Sequence, residues 1–452
     1  MKIILQPSGN IMKILGKAKP AEYGLRWMYY VVTQPVDGGV LVFHTLTRAM
    51  FLLTTEEYTA PDALPELRDG WFRVPQEMDD QKYADHVRFL RKTMYKKSKH
   101  ITNYVIFTTT DCNARCFYCY ELGRSRIPMS VETAHKAADY ISAHCGGENV
   151  SIQWFGGEPL FNKNIIDIIS SDLAAKGVEY TSIMISNGYL FDDATVKQAV
   201  KLWKLKCIQI SMDGTELVYN RSKAYIYKDG ESPYRIVLAN IRRLLDAGIH
   251  VTIRLNMDQY NADDLPVLVD ELHTMFPDRK NLSVYSHTLF EFMGSIGHIR
   301  QEEARHELYQ KQKILRRKMF SYGMTQKRNL ANTSPVQHCM ADSGSSLTIL
   351  PNGELGLCEH FSEDHFVGHI DSDEFNQQII EQFQKTKKPI KECKSCFCYP
   401  DCIRLEICSE QTNCYKESRE IERQKIQESM QYTYFAWMKN EEADEEEINP
   451  VC

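Results

Sequence analysis

The sequence predicts an α/β protein built around a partial (β/α)6 TIM-like barrel. Three observations carry that expectation. Six apolar, β-branched runs recur at regular intervals: "NYVIFTTT" (103–110), "NVSIQWFG" (149–156), "TSIMISNG" (181–188), "CIQISMDG" (207–214), "HVTIRLNM" (250–257) and "NLSVYSHT" (281–288). Helical stretches such as "SVETAHKAADYISAH" and "NADDLPVLVDELHTMF" separate them, and strand–helix alternation builds a parallel sheet. Glycines and polar residues close the runs, as in "GGEP", "SNG" and "SMDG". In parallel α/β sheets the functional loops gather beyond the carboxyl ends of the strands.

The flanks read differently. Residues 1–100 hold two strand pairs, "KIILQ"/"IMKILG" about "PSGN" and "LRWMYYVVTQ"/"GGVLVFHT" about "PVDGG". A helix start at "TTEEY", the run "GWFRVP" and a charged helix from Glu77 to Lys97 follow. Strands followed by helices predict a small winged-helix-like domain. From about Pro335 the chain is rich in cysteine and poor in apolar runs, so bound metal is expected to help hold it. The expected domains are 1–100, 101–325, 326–425, and a C-terminal helix with an acidic tail over 426–452. The like-charge block "NEEADEEE" in that tail predicts disorder.

Composition excludes several classes. The chain has 452 residues, 43% hydrophobic and 25% charged, enough for two or three domains with real cores. A net charge of −6 argues against a dedicated nucleic-acid binder; the short basic run "RKTMYKKSKH" reads as a solvated helix end. No run of about eighteen apolar residues suggests a membrane span. The start "MKIILQPSGN" lacks the pattern of a secretion signal.

The 14 cysteines are therefore expected in a reducing cytoplasm, as metal or redox ligands rather than disulfides. Cys112, Cys116 and Cys119 fall in the loop after the first barrel strand. Cys339, Cys358, Cys393, Cys396, Cys402, Cys408 and Cys414 form a second group, with Cys398 inside it. Four thiolates close a zinc or iron–sulfur site. Three leave a position open, or call for a fourth ligand from elsewhere.

The CxxxCxxC spacing of "CNARCFYC" resembles the radical S-adenosylmethionine (SAM) superfamily. The resemblance implies a [4Fe–4S] cluster on Cys112, Cys116 and Cys119 whose open iron is chelated by SAM. An electron from the cluster then splits SAM to a 5′-deoxyadenosyl radical that takes hydrogen from substrate. It further implies that Tyr118 meets the adenine, and that Gly156, Gly157, Glu158 and Pro159 hold the methionyl amino group. Ser186, Asn187, Ser211 and Asp213 would contact the ribose or carboxylate. Arg254 would pair the SAM carboxylate, which suits a guanidinium fork.

The C-terminal cysteines resemble a SPASM domain, implying two auxiliary [4Fe–4S] clusters and three in all. Cys339, Cys358 and Cys408 would serve the first; Cys393, Cys396, Cys402 and Cys414 would close the second. The chain departs from that pattern in having Glu406 four positions after Cys402 and its cysteine at Cys408. The first cluster also lacks a fourth cysteine, leaving an open iron, Cys398 or Asp342.

The resemblance implies a peptide or protein substrate, since most SPASM enzymes act on peptides or proteins. The expected function is maturation of a ribosomally made precursor peptide, whose leader the N-terminal domain would bind as an added strand, and which is crosslinked, with a cysteine thioether favoured by "CYPDCIRLEIC". A carbon–carbon or carbon–oxygen crosslink, or oxidation of a cysteine or serine to formylglycine in a sulfatase, are the alternatives. An electron carrier or metal-stabilised scaffold is a third, which the glycine-rich SAM pocket argues against. The expected partners are the leader-bearing peptide and an external electron donor, flavodoxin or ferredoxin, with no nucleic acid and no membrane.

Overall fold

The structure is a computed structural model. It describes the chain apart from residues 18–20, 95–99, 120, 122, 124, 228–229, 278–279, 290–301, 326–329, 331–339, 360–364, 385–387, 403–415 and 449–452. Two compact units emerge: one of Met1–Lys96, Lys327–Cys339 and Gln384–Cys452, the other of Lys97–Gln326 and Met340–Phe383. These units do not follow the four expected stretches of sequence. The cysteine-rich region divides, part joining the barrel and part the N-terminal segment.

The first unit opens with β1 (Lys2–Leu5), α1 (Gly9–Leu15), β2 (Leu25–Trp27), β3 (Val31–Val36), β4 (Gly39–His44) and β5 (Met50–Leu53). It continues with α2 (Thr55–Thr59), α3 (Pro65–Asp69), β6 (Arg73–Pro75) and α4 (Asp80–Met94). An antiparallel sheet of order β1-β5-β4-β3 is joined by a separate β2-β6 pair. The hairpin about "PVDGG" forms, with Val36 opposite Gly39. The hairpin about "PSGN" does not. Ser8 instead enters α1, and Ile11 and Leu15, four residues apart, bury one helical face. Thr54 caps α2 by accepting from Glu57 N, while the Glu57 carboxylate accepts from Thr54 N. That reciprocal pair is what "TTEEY" encodes.

The second unit holds β7 (Asn103–Thr109), α5 (Val131–His144), β8 (Val150–Gly156), α6 (Lys163–Ala175), β9 (Tyr180–Ser186) and α7 (Asp193–Lys201). After them come β10 (Leu205–Met212), α8 (Glu216–Lys223), α9 (Pro233–Asp246), β11 (His250–Met257), α10 (Leu265–Met275), β12 (Leu282–Thr288) and α11 (Glu302–Ser321). Strands β7 to β12 pair in parallel and in sequence order, as the six apolar runs predict. Ile208, Ile210 and Met212 of β10 are fully buried on one face. The strand alternation therefore turns Gln209 and Ser211 to the other, the barrel interior.

Sequence reasoning did not anticipate how the sheet continues. After α12 (Met340–Ser343), β13 (Ser346–Ile349) pairs in parallel with β7, followed by antiparallel β14 (Glu354–Gly356) and β15 (Gly368–His369), then α13 (Gln377–Gln384). Part of the cysteine-rich region thus extends the barrel sheet rather than standing alone. Leu350 and Met340 pack with Val105, Phe107 and Phe155.

The remaining cysteine-rich turns and α14 (Lys416–Ile448) belong to the first unit. Met430 and Tyr434 of α14 bury against Ile4, Val32, Leu41 and Phe43. The acidic tail, expected to be disordered, continues α14 to Ile448. Glutamate and alanine are good helix formers, and a helix already anchored by packing extends cheaply through them.

Candidate functional site

The loop after β7 is held from several sides. Thr109 Oγ1 accepts from Asp111 N at 3.0 Å, and Asp111 Oδ1 accepts from Cys112 N at 2.8 Å. Arg115 N donates to Lys223 O at 2.8 Å, and Ile226 N donates to Asn113 O at 2.9 Å. The segment after α8 therefore walls one side of the cysteine loop.

The end of β8 walls another side, and its glycines have a steric reason. A Cβ on Gly157 would lie 2.3 Å from Asp111 O and 2.7 Å from Thr110 O; one on Gly156, at φ +119°, would lie 2.1 Å from Thr109 O. The close approach that these glycines permit is thus to the backbone of the cysteine loop. Gly157 N and Glu158 N donate to Thr109 O and Asp111 O, each at 3.0 Å.

Glu158 is fully buried. Its carboxylate accepts from Leu160 N (3.1 Å), Asn187 N (2.8 Å) and Ser186 Oγ (2.9 and 3.1 Å). The side chain therefore braces the loops after β8 and β9 against one another. Asn187 in turn donates from Nδ2 to Asn113 Oδ1 at 2.7 Å, with Cys112 Sγ 3.7 Å away. Pro159 begins the short turn that follows, and its carbonyl accepts from Thr108 Oγ1 at 2.9 Å.

A second buried network joins residues from β10, β11, α8 and the cysteine loop. Tyr118 Oη donates to Asp213 (2.7 and 2.9 Å to its two oxygens) and accepts from Lys223 Nζ (2.8 Å) and Asn256 Nδ2 (3.1 Å). Lys223 also donates to Ser211 Oγ at 2.7 Å and pairs with Asp213 at 3.4 Å. With Lys223 2% and Asp213 1% exposed, the pair is sealed from water, where charge survives only when compensated. Burial pulls the Lys223 ammonium down, but Asp213 and the Cys116 sulfur outweigh it and the net shift is upward.

Arg254 is aligned with Ser211 on one side and Tyr285 on the other. It meets His287 Nδ1 at 3.1 Å, and its Nε is buried without a partner. Of the residues expected in the site, then, Tyr118, Ser211 and Asp213 form one network, and Glu158, Ser186 and Asn187 another. Arg254 joins neither through its hydrogen bonds.

The thiols fit a metal cluster. Burial pushes Cys112 up to about 12 and Cys119 to about 11, and raises Cys116 as well. Neighbouring thiols add to the rise at Cys112 and Cys119, and Lys223 opposes it at Cys116 and Cys119. Three desolvated thiols are poor thiolates unless a cation compensates them, which iron does on binding. Asn113 Nδ2 is buried beside them with no hydrogen-bond partner, an orphan that a bound group would satisfy. Among the described residues, no three His, Cys, Asp or Glu side chains converge at the spacing of one metal ion. A cluster of several irons takes its thiolates at separate corners and suits a wider spread.

The sequence model of the radical SAM superfamily matches residues 106–272, from β7 through α10. Residues 106–272 form a radical SAM domain. Its sequence is 33% identical over 116 residues to GTP 3′,8-cyclase of Rhodopirellula baltica, covering 24% of this chain and 30% of that protein. The chain spans less than half the length of the curated relatives it matches.

Among solved structures, the chain resembles native anSMEcpe with bound AdoMet and Cp18Cys peptide: TM-score 0.54, 16% identity, 75% of this chain and 98% of that one. It also resembles Streptococcus suis SuiB bound to S-adenosylmethionine: TM-score 0.51, 12% identity, 83% of this chain and 94% of that one. The SuiB structure bound to precursor peptide SuiA gives a TM-score of 0.50 at 11% identity, over 84% and 94% of the two chains. At these identities the likeness establishes the fold. In this radical SAM domain, Cys112, Cys116 and Cys119 are the residues that would hold the [4Fe–4S] cluster, and the rim around Glu158 and Asn187 would hold SAM.

Lys223 and Asn113 escaped sequence reasoning. Asn113 lies inside the cysteine motif, and its position alone was a usable signal. Lys223 had none: it ends α8 among polar residues, and only the fold carries it beneath Tyr118. Asn256 was visible at the end of β11, two residues from Arg254, but its bond to Asp213 at 3.1 Å was not.

Of the C-terminal cysteines, Cys358 lies in the barrel unit, while Cys393, Cys396, Cys398 and Cys402 lie in the first unit. Cys339, Cys408, Cys414 and Glu406 fall outside the described residues, as does the side chain of Asp342.

Gln in place of Glu158 turns an amide donor toward groups that are themselves donors, so Glu158→Gln is expected to cost about 2 kcal/mol and to weaken SAM binding at least about tenfold. Burial raises the Glu158 carboxyl to about 7. Its folded value lies above its unfolded one, so its contribution to stability is present below about pH 4.5 and is lost as pH rises toward 7, about 3 kcal/mol in all. Urea unfolding of wild type and E158Q at pH 5 and pH 8 checks this: the variant should be the less pH-dependent of the two.

Proposed function

We propose that this protein is a peptide maturase that uses SAM to install a crosslink in a ribosomally made precursor, with a cysteine thioether as the favoured bond. The cysteine loop carries the reading. It closes the first strand of a parallel barrel and is braced on one side by Glu158 and Asn187, on the other by Lys223. When bound, the cluster and SAM supply one-electron chemistry that removes a hydrogen atom from a carbon of the substrate. The chain's own residues hold the loop and fix its charge: Glu158 ties two rim loops together, and Lys223 and Asp213 neutralise each other beneath it. Arg254, with its buried and unpaired Nε, is the group proposed for the SAM carboxylate; Tyr118 offers its ring edge and backbone to the adenine.

A peptide substrate is supported by the likeness to anSMEcpe and SuiB, which were solved with peptides bound. The first unit, with its small antiparallel sheet, is proposed to take the leader. Auxiliary clusters on the C-terminal cysteines would accept the electron released as the bond forms, and flavodoxin or ferredoxin would supply the first one in a reducing cytoplasm. No described helix is long and apolar enough to cross a membrane.

The test is co-expression with a short cysteine-rich peptide encoded beside the gene. Crosslinking removes two hydrogens, so mass spectrometry should show a loss of about 2 Da that alkylation of the remaining thiols locates. A peptide left unchanged by an enzyme that still cleaves SAM would overturn the peptide reading and leave the radical SAM assignment standing.

A further inference from the structure

A short segment of the barrel unit joins the cysteine loop to the loop after β9. It runs from the end of α8 through Ala224, Tyr225, Ile226 and Tyr227. Ala224 ends the helix in the left-handed conformation, at φ 43° and ψ 58°, where an L side chain is strained and glycine is the usual residue. Such a residue persists where its surroundings over-determine it. Here the backbone on both sides of the turn is gripped by the cysteine loop: Arg115 N donates to Lys223 O at 2.8 Å, and Ile226 N donates to Asn113 O at 2.9 Å.

The side chains that follow reach the other loop. Tyr225 is buried, and its hydroxyl lies 3.0 Å from Tyr219 Oη and donates to Asn187 O at 3.4 Å. The Tyr225 ring lies 4.9 Å from that of Tyr189, and the Tyr227 ring stacks on the same Tyr189 at 5.0 Å and 21°. Tyr189 N donates to Asn187 Oδ1 at 3.0 Å, while Asn187 Nδ2 donates to Asn113 Oδ1 at 2.7 Å. The contacts close a ring. From Asn113 it passes through Ile226 and the tyrosines to Tyr189, then through Asn187 back to Asn113.

We propose that Tyr225 and Tyr227 are positioning residues for SAM: with Tyr189 they fix Asn187 at the rim, so that the pocket is set before SAM enters it. Two of the hydrogen bonds that hold Asn187 come from this aromatic group, one to its carbonyl and one to its side-chain oxygen. Neither tyrosine touches SAM in this scheme. Ordering the rim in advance removes that cost from binding and so raises affinity. The proposal rests on Asn187 as a SAM contact and is independent of peptide maturation.

The full chain, reconstituted anaerobically with iron and sulfide, is tested by equilibrium dialysis with SAM and by SAM cleavage under dithionite. Tyr227→Ala should keep its iron, weaken SAM binding about tenfold and raise KM for SAM with little change in kcat. Tyr227→Phe, which keeps the stacked ring, should restore wild-type binding. Tyr225→Phe removes only a hydroxyl and should weaken binding in the same direction; it decides the matter if Tyr227→Ala unfolds. Because Tyr189 and Tyr227 act through one stack, Tyr189→Ala combined with Tyr227→Ala should bind SAM no more weakly than the weaker single variant. Wild-type affinity in Tyr225→Phe or in a folded Tyr227→Ala would overturn the proposal. Loss of iron from either would also overturn it, because the tyrosines would then act on the cluster rather than on Asn187. A wild-type chain that loads its iron and binds no SAM fails differently: it would overturn the SAM reading of the rim, and the proposal with it.

Discussion

Cys116→Ala should abolish SAM cleavage and lower bound iron by about four per chain, while the iron proposed for the C-terminal cysteines is retained. Cys116 is the central thiol of the triplet: Arg115 beside it is tied to Lys223 O at 2.8 Å, and its own sulfur lies 3.9 Å from the same carbonyl. Alanine removes one of three thiolates without disturbing that backbone bond, so the loop keeps its path and loses its metal. Anaerobic iron analysis with chromatography for 5′-deoxyadenosine reads both consequences. If all iron disappears with Cys116, the division of ligands between the barrel and the C-terminal cysteines is wrong.

Gly157→Ala should be nearly as damaging by a different route. The added methyl carbon meets two backbone carbonyls, Asp111 O at 2.3 Å and Thr110 O at 2.7 Å. Backbone cannot swing aside as a long side chain does, so the loop carrying Cys112 must move. Overpacking of this kind costs about 3 kcal/mol, here directed at the cysteine triplet. The expected result is a folded protein with poor cluster loading at the barrel site and SAM affinity reduced at least about tenfold. Equilibrium dialysis with SAM and iron counting check it. A G157A chain that loads and binds like wild type would show that the loops after β7 and β8 are not held as tightly as their contacts indicate.

The barrel was legible because its signal is repetitive. Each of β7 to β12 is a short β-branched run that ends at or just before glycine or a polar residue, and parallel pairing in sequence order is the ordinary outcome of strand–helix alternation. The cysteine loop was legible from spacing alone. The roles of the rim residues were less so, because a motif names residues without saying what they touch. Glu158 shows this. It was expected to help hold an amino group, and its carboxylate is taken up by Leu160 N, Asn187 N and Ser186. Lys223 was hidden because its partners lie on other elements: Tyr118 is 105 residues away in sequence.

The flanks failed for related reasons. "PSGN" is a good turn, but Ile11 and Leu15 bury a helical face and tertiary packing overrides the local pattern. In sequence the cysteine-rich region reads as one module, rich in cysteine and poor in apolar runs. Burial divides it instead: β13 continues the barrel sheet, while Tyr399 and α14 pack into the first unit. Contacts across more than 300 residues, such as Thr45 with Phe397, leave no trace in local sequence.

The most direct test of the account is SAM cleavage by the wild-type chain. Reconstituted anaerobically and reduced with dithionite in the presence of SAM, the protein should release 5′-deoxyadenosine and methionine in equal amounts, and Cys116→Ala should release neither. If no 5′-deoxyadenosine forms while iron and sulfide analysis shows every cluster loaded, the triplet at Cys112, Cys116 and Cys119 does not perform radical SAM chemistry.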